Sequence, residues 1–409
     1  MKTTTILLAS SLVTAAGCQA GTDPGDAPSK DDVRAMGKAD SGHDFCAELG
    51  WYGDGVCDDF CLQLDPDCAS DARRPELGND TSVVRQSKIT MAQGLADAGK
   101  LGPIIEAKFE LGDDGKLSLS TYPAGKSLQF DSERNVFQEL AGDPTKGAPF
   151  MGSLDTFHDF EHLTRSSRDL TLRQLSSLSV EQAVHAVDFL GDVYWAIPTI
   201  QEGRAGYGVW LLAGGDDDDE AQDVYFFVDG NGSHRHQTID LGTGPGSGAT
   251  DARVPELGDD PSIARTARVK MSTALQQTLN SYPGVIEAKY EIGDDGKLSL
   301  SIYPVKEAMT VDAERQTFFE LAGDPTQAVY APTESKFDVP DEEHVTRSAR
   351  DLTLAQTSTI SIVGAVQKAE SMFSNGFVYW AIPTIRGTRS GWGVYVLDSN
   401  NKTHYLFIS

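Results

Sequence analysis

Two hydrophobic rhythms alternate along the chain. Val84, Met91 and Leu95 fall on one helical face within residues 84–98, and Ala267, Met271, Ala274 and Leu275 do the same farther on. That spacing predicts an amphipathic helix. The period then drops to two: Ile105, Ala107, Phe109 and Leu111 alternate with Glu106, Lys108 and Glu110, and after Asp114-Gly115 the alternation resumes at Leu117, Leu119 and Thr121. An Asp-Gly turn between alternating runs predicts a hairpin with one buried face and one wet face. A third strand is expected around Asn135–Leu140. Ser179 and Gln182 have the spacing of a capping box, followed by the apolar stripe Val180, Ala183, Val184, Val187 and Leu190, so a second helix starts there. Strands are expected near 193–200, 206–213 and 223–229, the last matching Thr403–Ile408. The order is helix, strands, helix, strands.

The whole pattern occurs twice. Asp71-Ala-Arg-Arg-Pro-Glu-Leu-Gly recurs from Asp251, Glu106-Ala-Lys-Phe-Glu-Leu-Gly-Asp-Asp-Gly from Glu287, Glu139-Leu-Ala-Gly-Asp-Pro-Thr from Glu320, Thr164-Arg-Ser-Ser-Arg-Asp-Leu-Thr-Leu from Thr346, and Tyr194-Trp-Ala-Ile-Pro-Thr-Ile from Tyr379. Repeats this long are tandem domains rather than solenoid units. They cover residues 71–238 and 251–409, joined by a Gly-rich linker at 239–250. The first copy alone carries Gly214-Gly-Asp-Asp-Asp-Asp-Glu, read as a solvated hairpin loop. The expected fold class is α+β: two tandem copies, each built from two helix-plus-antiparallel-sheet units.

Charge narrows the function. Lys and Arg number 34 against 61 Asp and Glu, a formal net charge of −27. Phosphate backbones attract cations, so nucleic-acid binding is disfavoured, as is charge-driven adsorption to an anionic membrane.

The beginning of the chain carries an address. Lys2 is followed by the short apolar stretch Ile6–Ala16 and by Ala15-Ala16-Gly17-Cys18. A charged start, a short apolar core and small residues form an export signal over residues 1–17. The small residues before Cys18 resemble the bacterial lipobox, which implies a lipid on the Cys18 sulfur; plain secretion is the alternative. Gln19 in place of Asp resembles an outer-membrane address. Residues 18–45, rich in Gly, Asp, Pro and Ser, read as a flexible tether.

Cys46, Cys57, Cys61 and Cys68 then crowd into a module at 46–68. In an exported chain they read as two disulfides, with three pairings open. The run Gly50-Trp-Tyr-Gly-Asp-Gly-Val-Cys-Asp-Asp-Phe-Cys, ending at Asp65-Pro-Asp-Cys68, resembles a shortened Notch-type repeat. The resemblance implies calcium ligation by Asp54, Asp58, Asp65 and Asp67; turn aspartates in a stapled stalk are the alternative.

In the repeats, a helix, then Tyr282-Pro-Gly-Val-Ile-Glu-Ala-Lys-Tyr-Glu, a hairpin and Val311-Asp-Ala-Glu resemble the PepSY domain. That family packs a helix on a small antiparallel sheet and occurs in propeptides of thermolysin-type peptidases and in bacterial envelope proteins. The second half of each copy is similar in diverged form, so the resemblance implies four PepSY-like units and a role in binding or inhibiting a peptidase.

The sequence contains no nucleophile elbow, phosphate loop or dinucleotide fingerprint. His158-Asp-Phe-Glu161-His162 matches the HxxEH pattern of inverted zinc peptidases, but it falls outside a helix signal and Pro340 replaces His158 in the second copy. His234 and His236 flank Arg235 in a polar stretch and read as solvated. Two constellations recur in both copies and are candidate partner-binding sites. Arg165 and Arg168, matched by Arg347 and Arg350, could fork onto carboxylates or brace the fold through Asp169 and Asp351. Tyr194-Trp195 with Tyr207 and Trp210, matched by Tyr379-Trp380 with Trp392 and Tyr395, place one aromatic of each pair in the core and free the other as a contact platform. These features read as a lipid-anchored envelope protein, not an enzyme, that binds a protein partner through its repeats. A passive surface lipoprotein is the alternative.

Overall fold

Thr90 and Gln93 open the first helix by a reciprocal cap: the Gln93 N–H donates to the Thr90 hydroxyl at 3.2 Å, and the Thr90 N–H donates to the Gln93 side chain at 2.9 Å. Two N–H groups that the helix leaves unpaired are satisfied this way. Met91–Ala98 (α1) follows, with Met91, Leu95 and Ala98 buried. Val84, expected on the same helix, lies instead in a separate 3-10 turn, Thr81–Gln86. The break comes at Ser87, whose hydroxyl bonds both the Ile89 carbonyl and the Ile89 N–H and so competes with the helical ladder.

This computed structural model describes residues 81–214, 222–230, 238–240, 260–336 and 341–409, apart from positions 113, 126, 129, 131, 202, 294, 315 and 374, together with Leu77 and Leu257. The expected export signal, tether, cysteine module, acidic insertion, linker from 241 and the histidines at 234 and 236 lie outside the described residues.

The first hairpin forms as its alternation predicts, from Ile104–Leu111 (β1) and Leu117–Pro123 (β2). Gly115 takes φ 71° at the turn, and Asp114 accepts the Lys116 N–H at 3.1 Å. Gln138–Gly142 (β3) is the expected third strand, and Ser153–Thr156 (β4) is an exposed fourth strand that no apolar alternation announces. Phe160–Leu175 (α2) follows, then Val180–His185 (α3), opened by the Ser179–Gln182 capping box. Gly191–Gln201 (β5), Arg204–Ala213 (β6), Gln222–Asp229 (β7) and Thr238–Asp240 (β8) end the first copy.

The second copy repeats the order with Met271–Thr278 (α4), Gly284–Ile292 (β9), Leu298–Val305 (β10), Phe319–Gly323 (β11), Thr333–Lys336 (β12), Glu342–Thr357 (α5), Ile362–Met372 (α6), Phe377–Arg386 (β13), Arg389–Leu397 (β14) and Thr403–Ile408 (β15).

Each copy makes one continuous sheet. The orders are β4-β3-β2-β1-β5-β6-β7-β8 and β12-β11-β10-β9-β13-β14-β15. Two meanders therefore meet side by side, with Ala107 opposite Ala196 and Ala288 opposite Ala381 at the seams. Neighbours are antiparallel except β8, which lies parallel to β7. The chain is thus an α+β protein of helices on antiparallel sheets.

The two faces of each sheet are covered differently. On one, α1 and α3 pack on each other and on β1 and β5, closing an apolar core that includes Leu95, Phe109, Leu119, Val184 and Val209. The other face carries Glu106 and Lys108, expected to be wet. Both are buried, as are Glu287 and Lys289 in the second copy. The hairpins have no wet face because α2 and α5 lie across the charged side of their sheets, and the charges there neutralise one another.

Helices α2 and α5 also join the copies. They run parallel: His158, just before α2, stands 3.7 Å from Glu342 at the start of α5, Ser167 donates to the Thr346 carbonyl at 2.5 Å, and near the far ends Leu175 and Leu354 share an apolar cluster with Ile385. Fully buried Ser167 and Ala349 occupy equivalent positions on the two helices, and side chains this small permit a close approach. Among the described residues no helix is long and apolar enough to cross a membrane.

Candidate functional site

Both recurring constellations converge on the charged inner face. Glu106, on the central strand β1, accepts from the Arg165 guanidinium at 2.6 Å and from the Trp195 indole N–H at 2.9 Å. The second copy repeats the triad: Glu287 accepts from Arg347 at 2.8 and 2.9 Å and from the Trp380 indole at 2.8 Å. A buried carboxylate held by a guanidinium and an indole is fully satisfied and costs far less than an isolated one. The tryptophans expected as a platform are therefore core residues: Trp195 and Trp380 are 1% exposed and Trp392 is 2% exposed, with the Trp392 N–H donating to the Ile360 carbonyl at 2.7 Å. Tyr194 and Tyr379 are buried too, because the middles of β5 and β13 are covered on both sides. Trp210 is half-buried, its ring 4.9 Å from that of Tyr225.

The arginines have the same inward disposition. Arg168 is 2% exposed; it donates to Asp169 and to the Pro198 carbonyl at 3.3 Å, and its Nε lies 3.6 Å from Asp312 of the other copy. Arg350 donates to Asp351 at 2.9 Å. Arg347, besides Glu287, approaches Glu133 of the first copy at 3.8 Å. Burial disfavours both Arg168 and Arg347 as cations, yet the carboxylates outweigh it and hold their pKa values above the ordinary range, Asp312 and Asp169 for the first, Glu287, Asp351 and Glu133 for the second. These four arginines brace the sheets and the joint between the copies, and do not present a fork to an outside carboxylate.

A second charged pair on the same face is similar in both copies. Lys108 stands 2.6 Å from Glu110, and Lys289 stands 2.7 Å from Glu291. Burial raises the Glu291 pKa against the lowering effect of Lys289 and Ser301.

The histidines do not form the HxxEH arrangement. Asp159 is the N-cap of α2, so His158 precedes the helix, and the His162 ring turns back to Asp159 at 2.7 Å. In the second copy His344 turns to Asp341 in the same way. Both are cap contacts rather than one-turn-apart metal ligands. Among the described residues no group of three or more His, Cys, Asp or Glu side chains is placed to hold a metal. The calcium candidates Asp54, Asp58, Asp65 and Asp67, the disulfide candidates Cys46, Cys57, Cys61 and Cys68, and the lipidation candidate Cys18 lie outside the described residues.

Among the described residues the second copy leaves β15 at an unpaired sheet edge. In the first copy β8 adds to β7 in parallel, Phe227 opposite Thr238 and Val228 opposite Ile239. The residues of β15 equivalent to Phe227 and Val228 are Phe407 and Ile408, and among the described residues no strand pairs beyond them. Tyr405, 42% exposed on this edge, has its ring tilted against that of Tyr395 at 5.0 Å, and Arg386 lies 6.0 Å above the Phe407 ring. An open edge presents a row of backbone donors and acceptors ready for another extended chain.

The sequence singles out the arginines and tryptophans as candidate contacts but not the buried partners of Arg165, Trp195, Arg347 and Trp380, Glu106 and Glu287, which its alternation assigns to a wet face. The signal was present: these glutamates recur at the same place in both copies. No protein-family model, curated protein or solved structure matches the chain.

Proposed function

We propose that the chain is an exported, lipid-anchored envelope protein, acylated at Cys18 and directed to the outer membrane, whose body binds another protein by receiving an extended segment at a sheet edge. The observation that carries this reading is β8 on β7: the edge of the first copy accepts a strand from the chain's own connecting segment, and β15 offers the equivalent edge in the second copy. Strand addition draws affinity from the backbone ladder and specificity from side chains along it, here Tyr405 and Phe407. The PepSY resemblance implies a secreted peptidase as the partner and regulation, rather than catalysis, as the outcome. The Notch-type resemblance adds a calcium-bound stalk, for which calorimetry with millimolar calcium on the oxidised chain is the check.

The test is a pull-down from envelope and culture fluid with the lipid-free body from Asp71, read by mass spectrometry. One enriched protein, lost when Tyr405→Lys places a charge on the edge, supports the reading. Nothing retained above an unrelated acidic control, even after cross-linking, leaves the passive surface lipoprotein as the better account.

A further inference from the structure

The phrase Val-Tyr-Trp-Ala-Ile-Pro-Thr-Ile is common to β5 and β13, but Asp192 precedes it in one copy and Phe377 in the other. The two residues hold equivalent places in the sheets, Asp192 opposite Leu212 and Phe377 opposite Leu397. Phe377 is buried; its ring lies 5.4 Å from Tyr290, and the Arg265 guanidinium sits 5.9 Å above it. Arg265 is fixed there by the carbonyls of Asn375, Leu397 and Asp398. The second copy thus holds an aromatic ring between a tyrosine and a cation.

The first copy keeps the surroundings and lacks the ring. Phe109 stands for Tyr290 and Arg85 for Arg265, while Asp192, 57% exposed, is met by Arg85 at 3.7 Å. A cavity of about 480 Å³ opens here, within the usual size of a ligand pocket. Its floor is Val84, Ile89, Met91, Phe109, Val184 and Val193, all buried, and its rim includes Arg85, Lys88 and Thr90. The entrance differs as well. Helix α6 runs to Met372, whereas α3 stops at His185, and the residues between Asp188 and Gly191 of the lining are Phe189 and Leu190, 75% and 40% exposed. Two exposed apolar side chains beside an apolar cavity mark a contact surface more than either would alone.

We propose that this cavity of the first copy binds an aromatic side chain presented by a partner protein, in the place that Phe377 fills from within in the second copy. The apolar floor takes the ring, Arg85 covers its face as Arg265 covers Phe377, and Phe189 and Leu190 receive the flanking segment. The site itself stands on the comparison of the copies; only the source of the ring rests on the binding-module reading.

The test titrates N-acetyl-L-phenylalanine amide into the lipid-free body while following the Met91 and Ile89 methyl resonances. Saturable shifts are expected, with N-acetyl-L-leucine amide binding about fivefold more weakly for want of the cation–π contact. Asp192→Phe, which restores the ring of the second copy, and Ala92→Trp, which fills the space from α1, both abolish the shifts. No saturable shift in the wild-type protein, or unchanged binding in both folded variants, overturns the site. If the probe binds and the pull-down retains nothing, the cavity stands and the protein partner falls. If a partner is retained equally well by both variants, the binding-module reading stands and the role of this cavity in it is overturned.

Discussion

Arg168 and Asp312 belong to different copies of the repeat, yet the arginine Nε lies 3.6 Å from the carboxylate with the side chains 2% and 11% exposed. Asp312 sits in the Val311-Asp-Ala-Glu phrase of the second copy, and Glu133, from the corresponding stretch of the first, approaches Arg347 at 3.8 Å. Each copy thus sends an acidic loop onto the other's central helix.

This joint should make the copies unfold together. Arg168→Met removes the cation between Asp169 and Asp312 and leaves buried carboxylates uncompensated, a loss of about 3–5 kcal/mol. Urea denaturation followed by circular dichroism is expected to show one transition for the wild-type protein and two for Arg168→Met/Arg347→Met, which removes both arginines that reach across, as each copy falls back on its own core. A single unshifted transition in the double variant would mean that the joint does not couple the copies.

The triad of Glu106, Arg165 and Trp195 gives a second expectation. Glu106→Gln keeps an acceptor for the indole but removes the charge that compensates Arg165, at about 3 kcal/mol. Trp195→Phe loses a hydrogen bond to a charged group, at about 2 kcal/mol. Thermal unfolding measures both. A surface contact residue would behave differently: Trp195→Phe would leave stability unchanged and weaken only the retention of a partner.

Much of this arrangement was legible, and the illegible parts share a physical cause. The hairpins, the Ser179 cap and the strand Thr403–Ile408 follow from alternation and turn chemistry, because one of their sides faces an apolar core. Helix α2 gave no such signal. Ser166, Ser167, Arg168, Asp169 and Thr171 are all buried in it, since it lies between its own charged sheet face and a second helix like itself. Its buried leucines, Leu163, Leu170, Leu172 and Leu175, are interleaved with these buried polar residues, so no clean apolar stripe stands out. The same inversion misplaced Glu106 and Lys108, whose alternation was correct but whose solvent was another protein layer. The edge strands β4 and β12 carry almost no apolar residues, so only pairing reveals them. The divergence of Asp192 from Phe377 was visible in the sequence, but its meaning depends on what surrounds each.

The caps of the two equivalent helices differ in a way that can be exchanged. Thr90 caps α1 through its hydroxyl, whereas Lys270 stands at the same point of α4 with no side-chain cap bond. Thr90→Lys is expected to cost about 1 kcal/mol and Lys270→Thr to gain a similar amount. Both positions are exposed, so packing should not obscure the comparison in chemical denaturation. If Lys270→Thr brings no gain, the cap is not what differs between the two helix starts.

Alkaline pH should unfold the protein through its tyrosines. Burial pushes the hydroxyls of Tyr207, Tyr290 and Tyr330 well above their ordinary range, with neighbouring Glu370 adding to it at Tyr290 and Glu320 at Tyr330. The Tyr290 hydroxyl donates to the Val269 carbonyl at 2.5 Å, and that of Tyr330 donates to the carbonyls of Leu300 and Leu321, bonds that only the protonated form can make. An unfolded tyrosine titrates near pH 10. The fold favours the neutral phenol, so this contribution is fully present below about pH 10 and is lost as the pH rises above it. Of the 12 tyrosines in the chain, those at the surface should ionise first, and the buried group should appear as a separate step in phenolate absorbance that coincides with loss of circular dichroism. One smooth titration of all of them near pH 10, with the fold intact, would show that these hydroxyls are not enclosed.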